Sequence, residues 1–181
     1  NRNNKLFTWT IAATGARFDE IASLTCENVV LGVSGGNELI KDSKTYLDRQ
    51  VPIPPTLVYR LAEHMKNKKP RDLVFTTANG NKMIEQCYNP DLRRRVKLAG
   101  ITNKHVYCHC FRNSYIMEHI RRGTDPLTIA KLVGHQDVNT TLGYTKYDYD
   151  LILRGAENHP FFSRAIPGQR IIEKIRESLE K

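Results

Sequence analysis

No apolar run in the sequence approaches the roughly 20 residues that a helical membrane span needs, so no membrane partner of that kind is expected. Acidic residues are scarce. Nineteen Asp and Glu stand against 28 Lys and Arg, for a formal net charge of +9. That surplus favours a polyanionic partner, of which nucleic acid is the commonest. No strongly amphipathic basic helix stands out to point to an anionic membrane instead. Cysteine is sparse as well: Cys26, Cys87, Cys108 and Cys110 occur without a secretory leader and are expected to be reduced thiols of an intracellular protein. The chain opens NRNNK without an initiator Met, and the expectation is a piece of a longer protein whose N-terminal portion lies outside it.

What is present suffices for one well-buried domain with a small appendage: 181 residues, 40% of them hydrophobic. There is no internal repeat and no low-complexity segment. KLFTWTIAA (5–13) reads as a short apolar helix, followed by the turn TGAR and a helical pattern in which Phe18, Ile21 and Ala22 share a side. Between Asn28 and Pro54 the period shortens, with NVVLGV, a Gly-Gly turn, ELIK and DRQVPIP, as in an antiparallel sheet of two or three strands. Pro54-Pro55 opens a helix over 56–66, and LVFTTANGNK (73–82) reads as a strand and turn. Helices are then predicted over 89–98, 110–122, 125–133, 138–144, 149–157 and 169–180. Asp125-Pro126 supplies a start, and Gly134 a stop, for the third of these. The fold class is therefore α+β and mostly α-helical, with a small antiparallel sheet inserted early.

The reactive side chains narrow the function. His109 and Arg112, three residues apart at the start of a helix, project on the same side. A histidine can donate to a phosphate oxygen, and arginine presents a planar fork matched to two of them. His135 follows the Gly134 stop, Tyr144 lies nine residues further on, and Arg17 sits in a tight turn between two helices.

These residues carry a resemblance. TGARFDEIASL resembles the first arginine box of the tyrosine recombinase (integrase) family, HCFRNSY resembles its His-x-x-Arg box, and LVGHQDVNTTLGYTKY resembles its closing box. All three occur in family order and anchor nearly the whole chain. The family hairpin between the first two boxes carries a lysine upstream of a Val-Pro strand end. In KDSKTYLDRQVPIP, Lys44 fits that place, with Lys41 as competitor. The departures are modest: Ala16 replaces the usual Leu, Asp19 a common Ser, and Asn113 a His. One box alone would be weak; three in order, with the hairpin lysine, are specific.

The resemblance implies the catalytic-domain fold of that family, with a small three-stranded antiparallel sheet, over residues 1–160. Residues 161–181 are then a C-terminal tail and helix for docking between protomers, since Ile171, Ile172, Ile175 and Leu179 fall along one side of IIEKIRESLEK. It implies cleavage and rejoining of DNA through a 3′-phosphotyrosyl intermediate on Tyr144, without metal, ATP or another cofactor. Arg17, Arg112 and His135 would bind the phosphate, His109 would take the tyrosine proton, and Lys44 would protonate the leaving 5′ oxygen. Implied partners are a double-stranded recombination site, three further copies forming a tetramer on it, and an accessory directionality factor. The implied location is the cytoplasm, on the nucleoid. A type IB topoisomerase or telomere resolvase uses the same chemistry and stays open as an alternative.

Other readings of single residues compete. Tyr147 is the fallback nucleophile, and Glu20 either orients Arg17 or is a solvated helix charge. Cys108-His109-Cys110 could suggest a metal-dependent nuclease, but paired zinc ligands usually lie two to four residues apart, with a second pair elsewhere. Packing around His109 is the expected role of these thiols. The runs 66–69 and 93–95 are solvated faces in general and phosphate contacts in a DNA enzyme.

Overall fold

Leu6, Phe7, Thr10, Ile11 and Thr14 recur at helical spacing, and all five are buried along one side of α1 (Arg2–Thr14). Two threonines on that side remain satisfied because their hydroxyls donate back to the turn before, Thr10 to the Leu6 carbonyl at 3.0 Å and Thr14 to the Thr10 carbonyl at 2.7 Å. The computed structural model describes residues 2–32, 35–40, 48–102 and 104–145. The chain divides into two compact units, Asn1–Gly143 and Tyr144–Lys181. The helices expected over 149–157 and 169–180 lie outside the described residues, as do Lys41, Lys44 and Tyr147.

In the first unit α2 (Phe18–Ala22) follows α1 across the TGAR turn, and a three-stranded antiparallel sheet follows in the order β1 (Val29–Gly32), β2 (Gly35–Ile40), β3 (Arg49–Ile53). The register pairs Val29 with Glu38 and Ile40 with Arg49. Along β3, Val51 and Ile53 are buried while Gln50 and Pro52 are exposed, the period-2 alternation of a strand with one covered face. Pro52 is tolerated because β3 is an edge strand. α3 (Pro55–Met65) starts with Pro in its first turn and buries Leu57 and Leu61.

Two local expectations are corrected. The segment 73–82 forms isolated bridges, Thr25 with Leu73 and Thr76 with Lys82, rather than a strand. Its backbone pairs with the loop after α2, the Val74 N–H donating to the Leu24 carbonyl at 2.8 Å, so no continuous ladder develops. α4 (Glu85–Leu98) begins four residues before the expected Asn89. Pro90 suggests a first-turn position, yet burial of Tyr88 together with Leu92 carries the helix back to Ile84. Tyr88 joins a cluster around Phe7, whose ring centroid lies 5.0 Å from Phe18, 5.3 Å from Phe75 and 5.2 Å from Tyr88. Edge and tilted pairs of this kind contribute about 0.5–1.5 kcal/mol each beyond area burial. The cluster fixes α1, α2 and α4 together beneath the TGAR turn.

The last three helices of the unit are α5 (Cys108–Arg121), α6 (Pro126–Val133) and α7 (Val138–Leu142). Asp125 caps α6 by accepting from the Thr128 N–H at 2.9 Å, and Asp137 caps α7 by accepting from the Asn139 N–H at 2.9 Å. Among the described residues, no helix is long and apolar enough to cross a membrane.

Candidate active site

The TGAR turn is built around one residue without a side chain. Gly15 is buried at φ +66°, in the left-handed region, and a Cβ there would stand 2.4 Å from a Tyr115 ring carbon of α5. Its N–H donates to the Ile11 carbonyl at 2.9 Å and closes α1. The chain then leaves in extended conformation at Arg17, which precedes α2. Glu20 accepts from the Arg17 backbone N–H at 2.6 Å, as a third-position glutamate does in a capping box, and from its Nη1 at 2.9 Å. The other terminal nitrogen, Nη2, donates to the Gly134 carbonyl at 3.0 Å. Of the two open readings of Glu20, orientation of Arg17 is the one observed.

Helix α5 brings the second pair to the same turn. Arg112 is only 2% exposed, and its Nη1 donates to the Gly15 carbonyl at 2.8 Å. One buried arginine thus holds the backbone that presents the other. His109, one turn earlier, is exposed as a residue. Water is nevertheless withheld from enough of its ring to lower the pKa, Arg112 lowers it further, Glu85 opposes, and Arg17 adds a smaller push downward. Of the flanking thiols, Cys108 is buried, and burial pushes its pKa up to about 12, so it stays a protonated packing residue. Cys110 donates weakly to the His105 carbonyl at 3.8 Å. Among the described residues, no three His, Cys, Asp or Glu side chains gather as a metal ion would need.

His135 enters from α6. Gly134 ends that helix at φ +71°, ψ 49°, and the next residue is turned back over it, its N–H donating to the Ala130 carbonyl at 2.9 Å. The His135 Nδ1 lies 2.8 Å from the hydroxyl of buried Thr141 on α7. Burial, then Arg112, Arg17, His109 and Arg49, lower its pKa from the ordinary 6.5 to about 4. At neutral pH the ring is therefore neutral, in a site rich in fixed positive charge.

This has a measurable consequence for stability. The unfolded chain protonates His135 near pH 6.5, whereas the folded chain resists until about pH 4. Between those values the unfolded state binds more protons, so the His135 contribution is complete above 6.5 and is lost progressively as the pH falls toward 4. In urea unfolding, the stability of the wild type relative to His135→Asn should be constant above pH 7 and decline between pH 6.5 and 4.5. A flat difference across that range would show that His135 titrates normally.

One residue of the site was missed by sequence reasoning. Arg49, the first residue of β3, donates from Nη1 and Nη2 to the two Glu20 oxygens at 2.9 and 2.8 Å and from Nε to the Leu132 carbonyl at 3.2 Å. Burial alone would raise the Glu20 pKa; the hydrogen bonds and charge of Arg49, then the contacts of Arg17, outweigh it and hold the carboxyl below its ordinary value. A signal existed, since Arg49 lies at the same strand parity as the buried Val51 and Ile53 and so faces inward.

The structure brings together Arg17, His109, Arg112 and His135. Tyr144 is the first residue of the second unit; it directly follows Gly143, the C-cap of α7, and is half-buried. Of the basic run 93–95, Arg94 and Arg95 pair with Asp91 at 3.0 and 2.7 Å.

A family model described as the phage integrase family matches residues 2–150. Tyrosine recombinase XerD of Yersinia pestis is 26% identical over 149 residues, covering 78% of this chain and 49% of that protein. XerD of Pseudomonas putida is 29% identical over 140 residues, covering 74% and 46%. The chain thus spans about half the length of these relatives. Among solved structures, XerH site-specific recombinase bound to difH substrate, in a pre-cleavage complex, superposes with a TM-score of 0.72 at 21% identity over 87% of this chain and 46% of that one. The catalytic domain of bacteriophage HP1 integrase gives 0.60 at 20% identity over 89% and 84%. These structural likenesses show a shared, mostly helical fold.

Proposed function

The chain belongs to the phage integrase family, and from that premise we propose that it is the catalytic part of a tyrosine-type site-specific DNA recombinase, with residues 1–160 as the catalytic domain and 161–181 as a docking tail. The observation that carries the reading is the meeting of Arg17, Arg112 and two neutral-leaning imidazoles around the Gly15 turn. Such a site binds a dianion-like phosphorane without metal, because preorganised donors aimed at developing charge are usually the largest catalytic effect.

The Tyr144 oxygen bonds to phosphorus, its proton passes to His109, the P–O5′ bond breaks, and Lys44 protonates the leaving 5′ oxygen. Tyrosine ionises with an ordinary pKa of about 10, so a neutral acceptor at His109 matters at neutral pH. The lowered His109 pKa keeps that acceptor free of its proton. At His135 the Nδ1 contact with the Thr141 hydroxyl fixes the ring, and in the tautomer in which Nδ1 accepts, Nε2–H is left to donate to a non-bridging oxygen. A 5′-hydroxyl from a second duplex then attacks the 3′-phosphotyrosyl link and returns the enzyme, so bond energy is conserved and ATP is not consumed. Partners are a double-stranded recombination site, a tetramer assembled on two duplexes, and an accessory directionality factor, in the cytoplasm on the nucleoid.

The test is a nicked suicide substrate incubated with the protein in EDTA. A denaturant-stable protein–DNA adduct, joined at the 3′ side and leaving a 5′-hydroxyl, is expected. Cleavage that requires added divalent metal and leaves no adduct would overturn the proposal.

A further inference from the structure

We propose that Arg49 is a positioning residue that locks Arg17 and the His135 loop into one arrangement, a role that rests on reading this site as a phosphoryl-transfer centre. Glu20 carries the connection. Its carboxylate is pinned by two arginines from different elements, β3 and the TGAR turn, and its side chain is only 9% exposed. Arg49 uses its third donor on the Leu132 carbonyl, while Arg17 takes the Gly134 carbonyl, so both arginines also grip the end of α6.

The fit at that end is close. A Cβ at Gly134 would stand 2.6 Å from Nη1 and 2.7 Å from Cζ of Arg49. The glycine therefore serves two needs at once, a left-handed backbone and room for a guanidinium pressed against it. His135 is the next residue, and Arg49 is itself the first residue of β3. A planar fork with three fixed donors is required; an ammonium supplies a charge but cannot span two carboxylate oxygens and a carbonyl.

The test uses the full chain with Arg49→Lys and Arg49→Gln, read two ways. In histidine-selective NMR titrations, His135 of the wild type should titrate well below the ordinary 6.5, at about 4, beside Arg112, Arg17, His109 and Arg49. In both variants its midpoint should rise by roughly one unit or more as the loop admits water. The rise in the Lys variant, where charge is kept, reports position rather than charge. In single-turnover adduct formation, the saturating rate should fall about 10²-fold, the size expected of a misplacement near 1 Å, at unchanged half-saturating DNA.

An unmoved His135 midpoint in Arg49→Lys overturns the inference, as does a wild-type rate in that variant. Loss of the cooperative thermal transition in Arg49→Lys also overturns it, by assigning Arg49 to the fold at large. If the wild type itself forms no adduct, the recombinase reading fails, and the His135 titration still decides whether Arg49 sets the loop.

Discussion

Tyr144→Phe should abolish the covalent adduct, lowering its rate at least about 10⁴-fold, while leaving DNA affinity and thermal stability near those of the wild type. Removing a nucleophile outright costs about 10⁶ in a well-studied hydrolase, because nothing else in the site can make the bond. The ring survives in phenylalanine, so packing of this half-buried side chain is kept and only the oxygen is lost. Tyr144 is one of eight tyrosines, and composition gives it no privilege. Its claim comes from position. It lies three positions after Thr141, whose hydroxyl meets His135, and Gly143 caps the helix between them. Tyr147→Phe should keep adduct formation within about threefold, since a substitution outside the reacting groups that removes a single hydroxyl changes little. The measurement is adduct yield against time on a nicked substrate in EDTA. An adduct that persists in Tyr144→Phe and vanishes in Tyr147→Phe would move the nucleophile to the later residue.

What was legible in the sequence follows the range of the forces involved. The TGAR turn, the Asp125-Pro126 start and the Gly134 stop are local, each set by one residue's backbone preference, and each stands where the pattern put it. The pairing of His109 with Arg112 is likewise local, one helical turn. Arg49 with Glu20 is a different case: 29 residues and a hairpin separate them, and only the folded sheet brings the fork onto the carboxylate. The start of α4 was hidden for a similar reason. Pro90 speaks for a start near Asn89, and burial of Tyr88 against Phe7, far away in sequence, overrules it. Sequence also left the burial of Arg112 invisible, because an arginine ordinarily belongs outside.

That burial makes Arg112 the most severe test of the site after the nucleophile. Two losses are expected in Arg112→Ala, and they can be separated. The first is structural. Arg112 is 2% exposed and its guanidinium donates to the carbonyl of buried Gly15 at 2.8 Å, so truncation strands an acceptor and opens a void beneath the turn. An unsatisfied buried acceptor costs about 1–3 kcal/mol before any cavity is counted, and a drop of that size should appear in urea unfolding. The second is catalytic. Gly15 lies between the Arg112 fork on its carbonyl and the Tyr115 ring against its Cα, both from α5. When the fork is lost, the turn that presents Arg17 loosens together with the phosphate donor itself. Removal of one donor at an oxyanion site costs about 10²–10³ in rate, and the coupled loss here should sit at the upper end. Arg112→Lys separates the two effects. It keeps the charge and much of the volume, so stability should largely return. One ammonium cannot hold the Gly15 carbonyl and a phosphate oxygen in the fixed geometry of a fork, so adduct formation should remain at least about 10²-fold down. Parallel recovery of rate and stability in Arg112→Lys would show that only a positive charge is needed at this position, and that the buried fork is part of the fold rather than of the chemistry.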